Sequence, residues 1–158
     1  MKDKTAFFTG HRNIQKSLYP IIEKELKKLI IKLINKNIIY YGVGGAVGFD
    51  TVSALTILSL KKYYPQIKLI LVLPCKSHTK YWQYEDILLY EQIFKQANKV
   101  VYISEHYTKN CMLDRNIHLV KNSSYCISYL KHYTGGTAYT VAQAKRLGLT
   151  IYNIAKNI

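Results

Sequence analysis

Five times along the 158-residue chain a short apolar run gives way to a longer stretch whose apolar residues recur every three or four positions. That alternation constrains the fold more than any other feature, because strands and helices bury different residue periods. Thr5-Ala6-Phe7-Phe8 reads as a first strand stopped by Thr9-Gly10, and Leu18, Ile22, Leu26, Leu29 and Leu33 mark the helix after it. Ile38 to Tyr41 is a second strand ending at a glycine cluster. It is followed by a helix from Asp50 to Tyr64, which Pro65 breaks. Lys68 to Leu73 and Lys99 to Ile103 are the third and fourth strands, separated by the stripe Ile87, Tyr90, Phe94 and Ala97. Lys109 to Lys121 is a helix, Tyr125 to Leu130 a strand, Thr137 to Leu147 a helix closed by Gly148, and Leu149 to Tyr152 a last strand. Regular β-α-β alternation predicts an α/β fold: a Rossmann-like, doubly wound, mostly parallel sheet with helices on both faces. No Gly-, Ser- or Pro-rich linker divides the chain, so residues 1–158 are expected to form a single domain.

Several function classes drop out. No window approaches 18 uninterrupted apolar residues, which argues against a membrane partner. The apolar segment after Met1-Lys2-Asp3-Lys4 is too short for a signal peptide. Cys75, Cys111 and Cys126 are odd in number and far apart, which excludes a local disulfide framework or CxxC knuckle and points to a reducing, cytoplasmic setting. The histidines show neither HxxxH nor HExxH spacing, so no metal and no cofactor is expected. Charge is more informative. With 23 Lys+Arg against 9 Asp+Glu the net charge is +14, which favours anionic partners: nucleic acid, anionic lipid or phosphorylated small molecules. An AT-rich genome enriches the same Lys, Ile, Asn and Tyr codons, so charge alone does not choose among them.

In an open parallel sheet the ligand crevice lies beyond the carboxyl ends of the strands, and the informative residues fall there. Gly10-His11-Arg12 follows strand one. Gly44, Gly45, Gly48 and Asp50 follow strand two and open a helix. Gly135-Gly136-Thr137 follows strand five and opens another. Glycines let backbone N–H groups at a helix start approach an anion, although a tight entry turn needs them as well. Arg12 offers a planar donor fork, and His11 a donor, acid or base near neutral pH. Asp50 suits a ribose hydroxyl, a general base, or a plain helix N-terminal acid. On spacing alone, Asp114 and His118 read as a surface pair with Arg115 and Asn116 between them. The irregular stretch Pro74 to Tyr84 is long enough for a lid or pocket wall; its Tyr81, Trp82 and Tyr84 are placed to plug a core or stack on a base. A P-loop and a GxSxG elbow are absent.

The ordered set Thr9-Gly10-His11-Arg12, Gly44 to Asp50 (GGAVGFD), Leu73-Pro74-Cys75, Met112 to Asn116 (MLDRN) and Gly135-Gly136-Thr137 resembles the SLOG superfamily, in its YspA-like branch, over nearly the whole chain. That superfamily also includes the DprA/SMF proteins and the LOG phosphoribohydrolases. The resemblance implies a Rossmann-like fold and a nucleotide-type ligand held by Gly10, His11, Arg12, Gly44, Gly45, Gly48, Asp50, Arg115, Asn116, Gly135, Gly136 and Thr137. It implies binding of a nucleotide-derived small molecule (ADP-ribose-like, NAD-derived or cyclic), by a homo-oligomeric sensor or sequestering protein of the kind used in antiviral defence or counter-defence. The phosphoribohydrolases carry PGGxGTxxE; here Thr134 to Thr140 lacks the Pro, the third Gly and the Glu, which argues against their activity. Two rivals remain: a hydrolase of an N-glycosidic or phosphoester bond with Asp50 or His11 as base, and a single-stranded nucleic-acid binder.

Overall fold

The computed structural model describes residues 1–158. Its strands are β1 (Thr5–Gly10), β2 (Tyr40–Val43), β3 (Lys68–Leu73), β4 (Lys99–Tyr102), β5 (Tyr125–Tyr129) and β6 (Thr150–Asn153). Between them run α1 (Tyr19–Asn35), α2 (Phe49–Lys61), α3 (Tyr84–Gln96), α4 (Cys111–Lys121) and α5 (Gly136–Arg146). All six strands join one sheet in the order β4-β3-β2-β1-β5-β6, and every pairing is parallel. This is the Rossmann-like α/β sheet expected from the alternation.

Residues on β1 alternate between two cores. Ala6 and Phe8 join α1, α2 and α3 through Ile22, Leu26, Ile57 and Ile93, whereas Phe7 meets Leu119 and Val120 of α4 and Val141 and Ala144 of α5. Burial of each phenylalanine contributes about 1.5–3 kcal/mol. Three helices therefore cover one face and two the other. The division follows from handedness: the chain steps from β1 out to β4, then returns past β1 to β5, and right-handed crossovers place helices of opposite travel on opposite faces. The reversal leaves a crevice beyond the carboxyl ends of β1 and β5.

Several boundaries differ from the sequence expectation. Strand β1 runs on through Thr9 and Gly10, because Gly10 is paired in register with Tyr129 and does not stop the ladder. Strand β2 includes Gly42 and Val43, and α4 presses close over Gly42, where an added Cβ would fall 2.9 Å from Leu119 Cδ2. Helix α3 starts three residues early, at Tyr84, with Glu85 and Asp86 complementing its N-terminal dipole. No helix is long and apolar enough to cross a membrane.

Candidate functional site

A cavity of about 360 Å³ opens at this switch point. Four segments line it: Phe8 to Arg12 from β1 and its loop, Gly44, Ala46 and Asp50 from the second loop, Met112, Leu113, Arg115, Asn116 and Leu119 from α4, and Thr134 to Thr137 at the start of α5. Of the residues expected in the site, Gly10, His11, Arg12, Gly44, Asp50, Arg115, Asn116, Gly135, Gly136 and Thr137 come together here. Gly45 and Gly48 do not. Gly48 has φ +80° and its Cα lies against the carbonyl of Arg12, so it locks the first two loops backbone to backbone. Gly45 packs under Leu73 beside His78. Both are glycine for close packing within the protein, not for approach to a ligand. Gly44 is similar: a Cβ there would fall 2.6 Å from Arg115 Nη1. Around Gly135 and Gly136, by contrast, an added Cβ would meet open space.

The same contrast holds for the two helix starts. At α2 an acid, Asp50, lies in the first turn, and the first N–H, of Phe49, donates to the His11 carbonyl at 3.2 Å. Asp50 Oδ2 accepts from the Ala46 N–H of the preceding loop at 3.1 Å, and Thr51 Oγ1 donates to the Ala46 carbonyl at 3.2 Å. At α5 the N-cap is Gly135, no side chain caps the helix and no acid lies in its first turn. The first N–H groups of a helix have no partner within it, and they carry the positive end of its dipole. The α5 start is thus the open anion receptor of the two.

Two guanidinium groups face it. Arg115 is only 4% exposed. Its Nη1 donates to the Gly44 carbonyl and its Nε to Asn116 Oδ1 at 2.7 Å, which fixes the plane of the fork. Burial pulls its pKa down, but an arginine stays charged. Arg12 is exposed, and its one hydrogen-bond partner is the Met112 thioether, Sδ to Nη2 at 3.6 Å. Asp50 is the one carboxylate in the cavity lining. Burial pushes its pKa up, opposed by the Arg115 charge, the Ala46 N–H and the Arg12 charge.

His11 works differently from a free base. Its Nε2 accepts from the backbone N–H of Lys131 at 2.8 Å and of His132 at 3.3 Å, so the neutral ring ties the loop after β5 to the loop after β1. Burial, then the charges of His132 and Lys131, hold its pKa below the ordinary histidine value. The neutral form is therefore favoured in the folded protein, and this contribution to stability is present above about pH 6.5 and lost as the pH falls through the lowered folded value. The expected result is release of residues 131–134 on mild acidification, seen as loss of hydrogen-exchange protection at the Lys131 amide. If the wild type and His11→Ala lose protection over the same pH range, His11 is not the tie.

The segment after β3 does not reach the cavity. His78 spans it from Cys75 O (3.1 Å from Nδ1) to Gly45 O (3.2 Å from Nε2), and Trp82 and Tyr90 meet its ring edge-on at 5.3 and 5.1 Å between centroids. Trp82 is a plug here; Tyr81 and Tyr84 are exposed. Met112, Thr134 and Ala46 belong to the motifs read from the sequence but not to the expected ligand residues, and all three line the cavity. Met112 had a findable cue, lying three positions before Arg115 and so on the same face of a helix. No cluster of three or more His, Cys, Asp or Glu side chains could hold a metal ion, and the three cysteines are buried thiols.

Sheet order and cavity place the chain among doubly wound α/β proteins whose ligand crevice lies at the switch point. The YspA SLOG family model matches residues 6–155, and the chain belongs to that family. Among curated proteins, a UPF0398 protein of Brevibacillus brevis is 31% identical over 104 residues, 61% of this chain and 55% of the relative. One from Staphylococcus epidermidis is 28% identical over 102 residues, 60% of this chain and 54% of the relative. The match thus spans about half the length of these relatives. Among solved structures, DNA processing protein A (DprA) from Streptococcus pneumoniae superposes with a TM-score of 0.70 at 18% identity, covering 96% of this chain and 50% of that one. DprA from Helicobacter pylori, described with a single-stranded DNA binding mode, superposes with a TM-score of 0.66 at 18% identity, covering 93% and 63%. These likenesses establish the fold.

Proposed function

We propose that the cavity binds a nucleotide-derived small molecule through its phosphate, in the manner of a sensor or sequestering protein. The observation that carries this reading is the uncapped, side-chain-free start of α5 facing two arginines, one of them exposed and satisfied only by a thioether. A phosphate there meets backbone N–H groups and planar forks together. Asp50, already fixed by Ala46, has a second lone-pair direction for a ribose hydroxyl. Holding is favoured over cleaving, since a lone buried carboxylate and a histidine whose Nε2 is engaged give no acid–base pair.

The test is calorimetric titration with ADP-ribose, NAD, AMP and a cyclic dinucleotide, with mass spectrometry for turnover. Saturable binding without conversion is expected for at least one of them. Arg12→Ala should weaken it by about tenfold or more, the loss of one charge-assisted contact. Its melting temperature should hardly move, because the side chain is exposed. Turnover abolished by Asp50→Asn would overturn the reading in favour of an enzyme.

One observation favours a second reading. Tyr81, Tyr84, Tyr107, Tyr133 and Tyr139 are all exposed on the carboxyl edge of the sheet, whereas Tyr63 is the exposed tyrosine at the other edge. Codon bias would not sort them in this way. Exposed rings beside lysines form a stacking platform for single-stranded nucleic acid. In that case an oligonucleotide binds with a steep salt slope and Tyr133→Ala weakens it, while AMP and ADP-ribose do not bind.

A further inference from the structure

Met112 has the most unusual polar surroundings in the cavity. It is one of two methionines, the other being the exposed Met1. Its Sδ lies 3.6 Å from Arg12 Nη2 and 3.9 Å from Arg115 Nη2. Two cationic forks thus converge on a thioether, among the weakest acceptors a side chain offers. Met112 is half-buried and lines the cavity, so small solutes reach it. An oxygen bonded to that sulfur on the side of the two guanidiniums would stand nearer to them than the thioether does.

We propose that Met112 is an oxidation site whose sulfoxide oxygen takes the place of the ligand's anionic group between Arg12 and Arg115. The reaction needs a peroxide. The sulfur lone pair attacks the terminal peroxide oxygen, the S–O bond forms as the O–O bond breaks, and the departing hydroxide takes the remaining peroxide proton and leaves as water. Sulfur loses two electrons and the peroxide gains them. The product is a strongly dipolar acceptor in place of a weak one, and the charge-assisted bonds to it are about twice as strong as neutral ones. Oxidation of a packed methionine ordinarily disrupts its surroundings. Here it satisfies two guanidiniums, so it should leave the fold intact and close the cavity to anions. Sulfoxide reductases reverse the step.

The affinity arm rests on the cavity reading above; the stability arm does not. Wild type and Met112→Leu are treated with hydrogen peroxide until intact mass and peptide mapping show one added oxygen at position 112 in the wild type. Both are then melted and titrated with ADP-ribose beside reduced controls. The oxidised wild type should melt at or above the reduced temperature and bind ADP-ribose at least tenfold more weakly, with recovery after methionine sulfoxide reductase and dithiothreitol. Treated and untreated Met112→Leu should match each other. A melting temperature lowered by oxidation at Met112, or an affinity that oxidation leaves unchanged, overturns the proposal. So does an equal response in Met112→Leu. If the reduced wild type binds neither ADP-ribose nor any of the other three nucleotides, the cavity reading fails separately and the melting comparison alone decides on Met112.

Discussion

A Gly136→Asp variant should fold at least as stably as the wild type and bind the proposed nucleotide ligand about a hundredfold more weakly. The two effects have opposite signs because they act on one feature, the uncapped start of α5. An added Cβ at Gly136 meets open space, and its φ is not among the positive ones, so the new side chain fits without strain. A carboxylate in the first turn gains about 0.3–1 kcal/mol from the helix dipole. Replacing a helical glycine gains a similar amount from the unfolded state. That same carboxylate then sits where the phosphate is expected. A hundredfold loss corresponds to about 2.7 kcal/mol, within reach of one displaced anion contact plus like-charge repulsion. Calorimetry and a thermal melt on one preparation decide the matter. Unchanged affinity would show that the anion does not rest on α5.

Arg115→Ala should be the most damaging single substitution in the site for stability. It removes the donor to the Gly44 carbonyl, empties the volume above Gly44 and takes away the charge that most opposes the burial of Asp50. An orphaned buried acceptor costs about 1–3 kcal/mol and the void adds to it, giving roughly 2–4 kcal/mol in all. For a domain of this size that is about 5–15 °C in Tm. The pH dependence identifies the cause. Without Arg115 the folded pKa of Asp50 rises further above its already raised wild-type value, so the deficit is smallest while Asp50 is protonated in both folded proteins and grows as the pH passes the wild-type folded value. The gap to wild type should therefore widen as the pH rises through the raised folded value of the wild type, and adding Asp50→Asn should flatten it. A gap independent of pH would mean that packing alone is at stake.

Arg115 also shows where the sequence was silent. Its spacing places it on a helix between Asp114 and His118, which suggests a solvated face, and only a family likeness pointed inward. Its deciding partner, the Gly44 carbonyl, lies 71 positions away on another loop. Sheet type, the alternation of layers and the edge that bears the site were legible, because periodicity and strand-end glycines are local signals. The glycines themselves were ambiguous. Gly48 and Gly136 look alike in a sequence, yet one lets two backbones touch and the other leaves a helix end bare. Asp50 suits three roles on spacing alone; its contact with Ala46 N, which ties the preceding loop to the first turn of α2 and leaves a lone pair free, is not written in that spacing. His11 suits a donor, an acid or a base from its position alone, and in the fold its Nε2 accepts from the chain itself.

The cavity is therefore held asymmetrically. On one side, Gly48 fuses the first two loops through backbone contact, and α4 clamps them through Arg115. On the other, Leu130 is pinned to Asn153 and Gly135 opens α5, and between them residues 131–134 are hydrogen-bonded to the first loop by one imidazole nitrogen. The site has one fixed jaw and one hinged jaw. For the ligand proposed above, the hinged jaw should govern residence time, and substitutions in residues 131–134 should change dissociation rates far more than association rates.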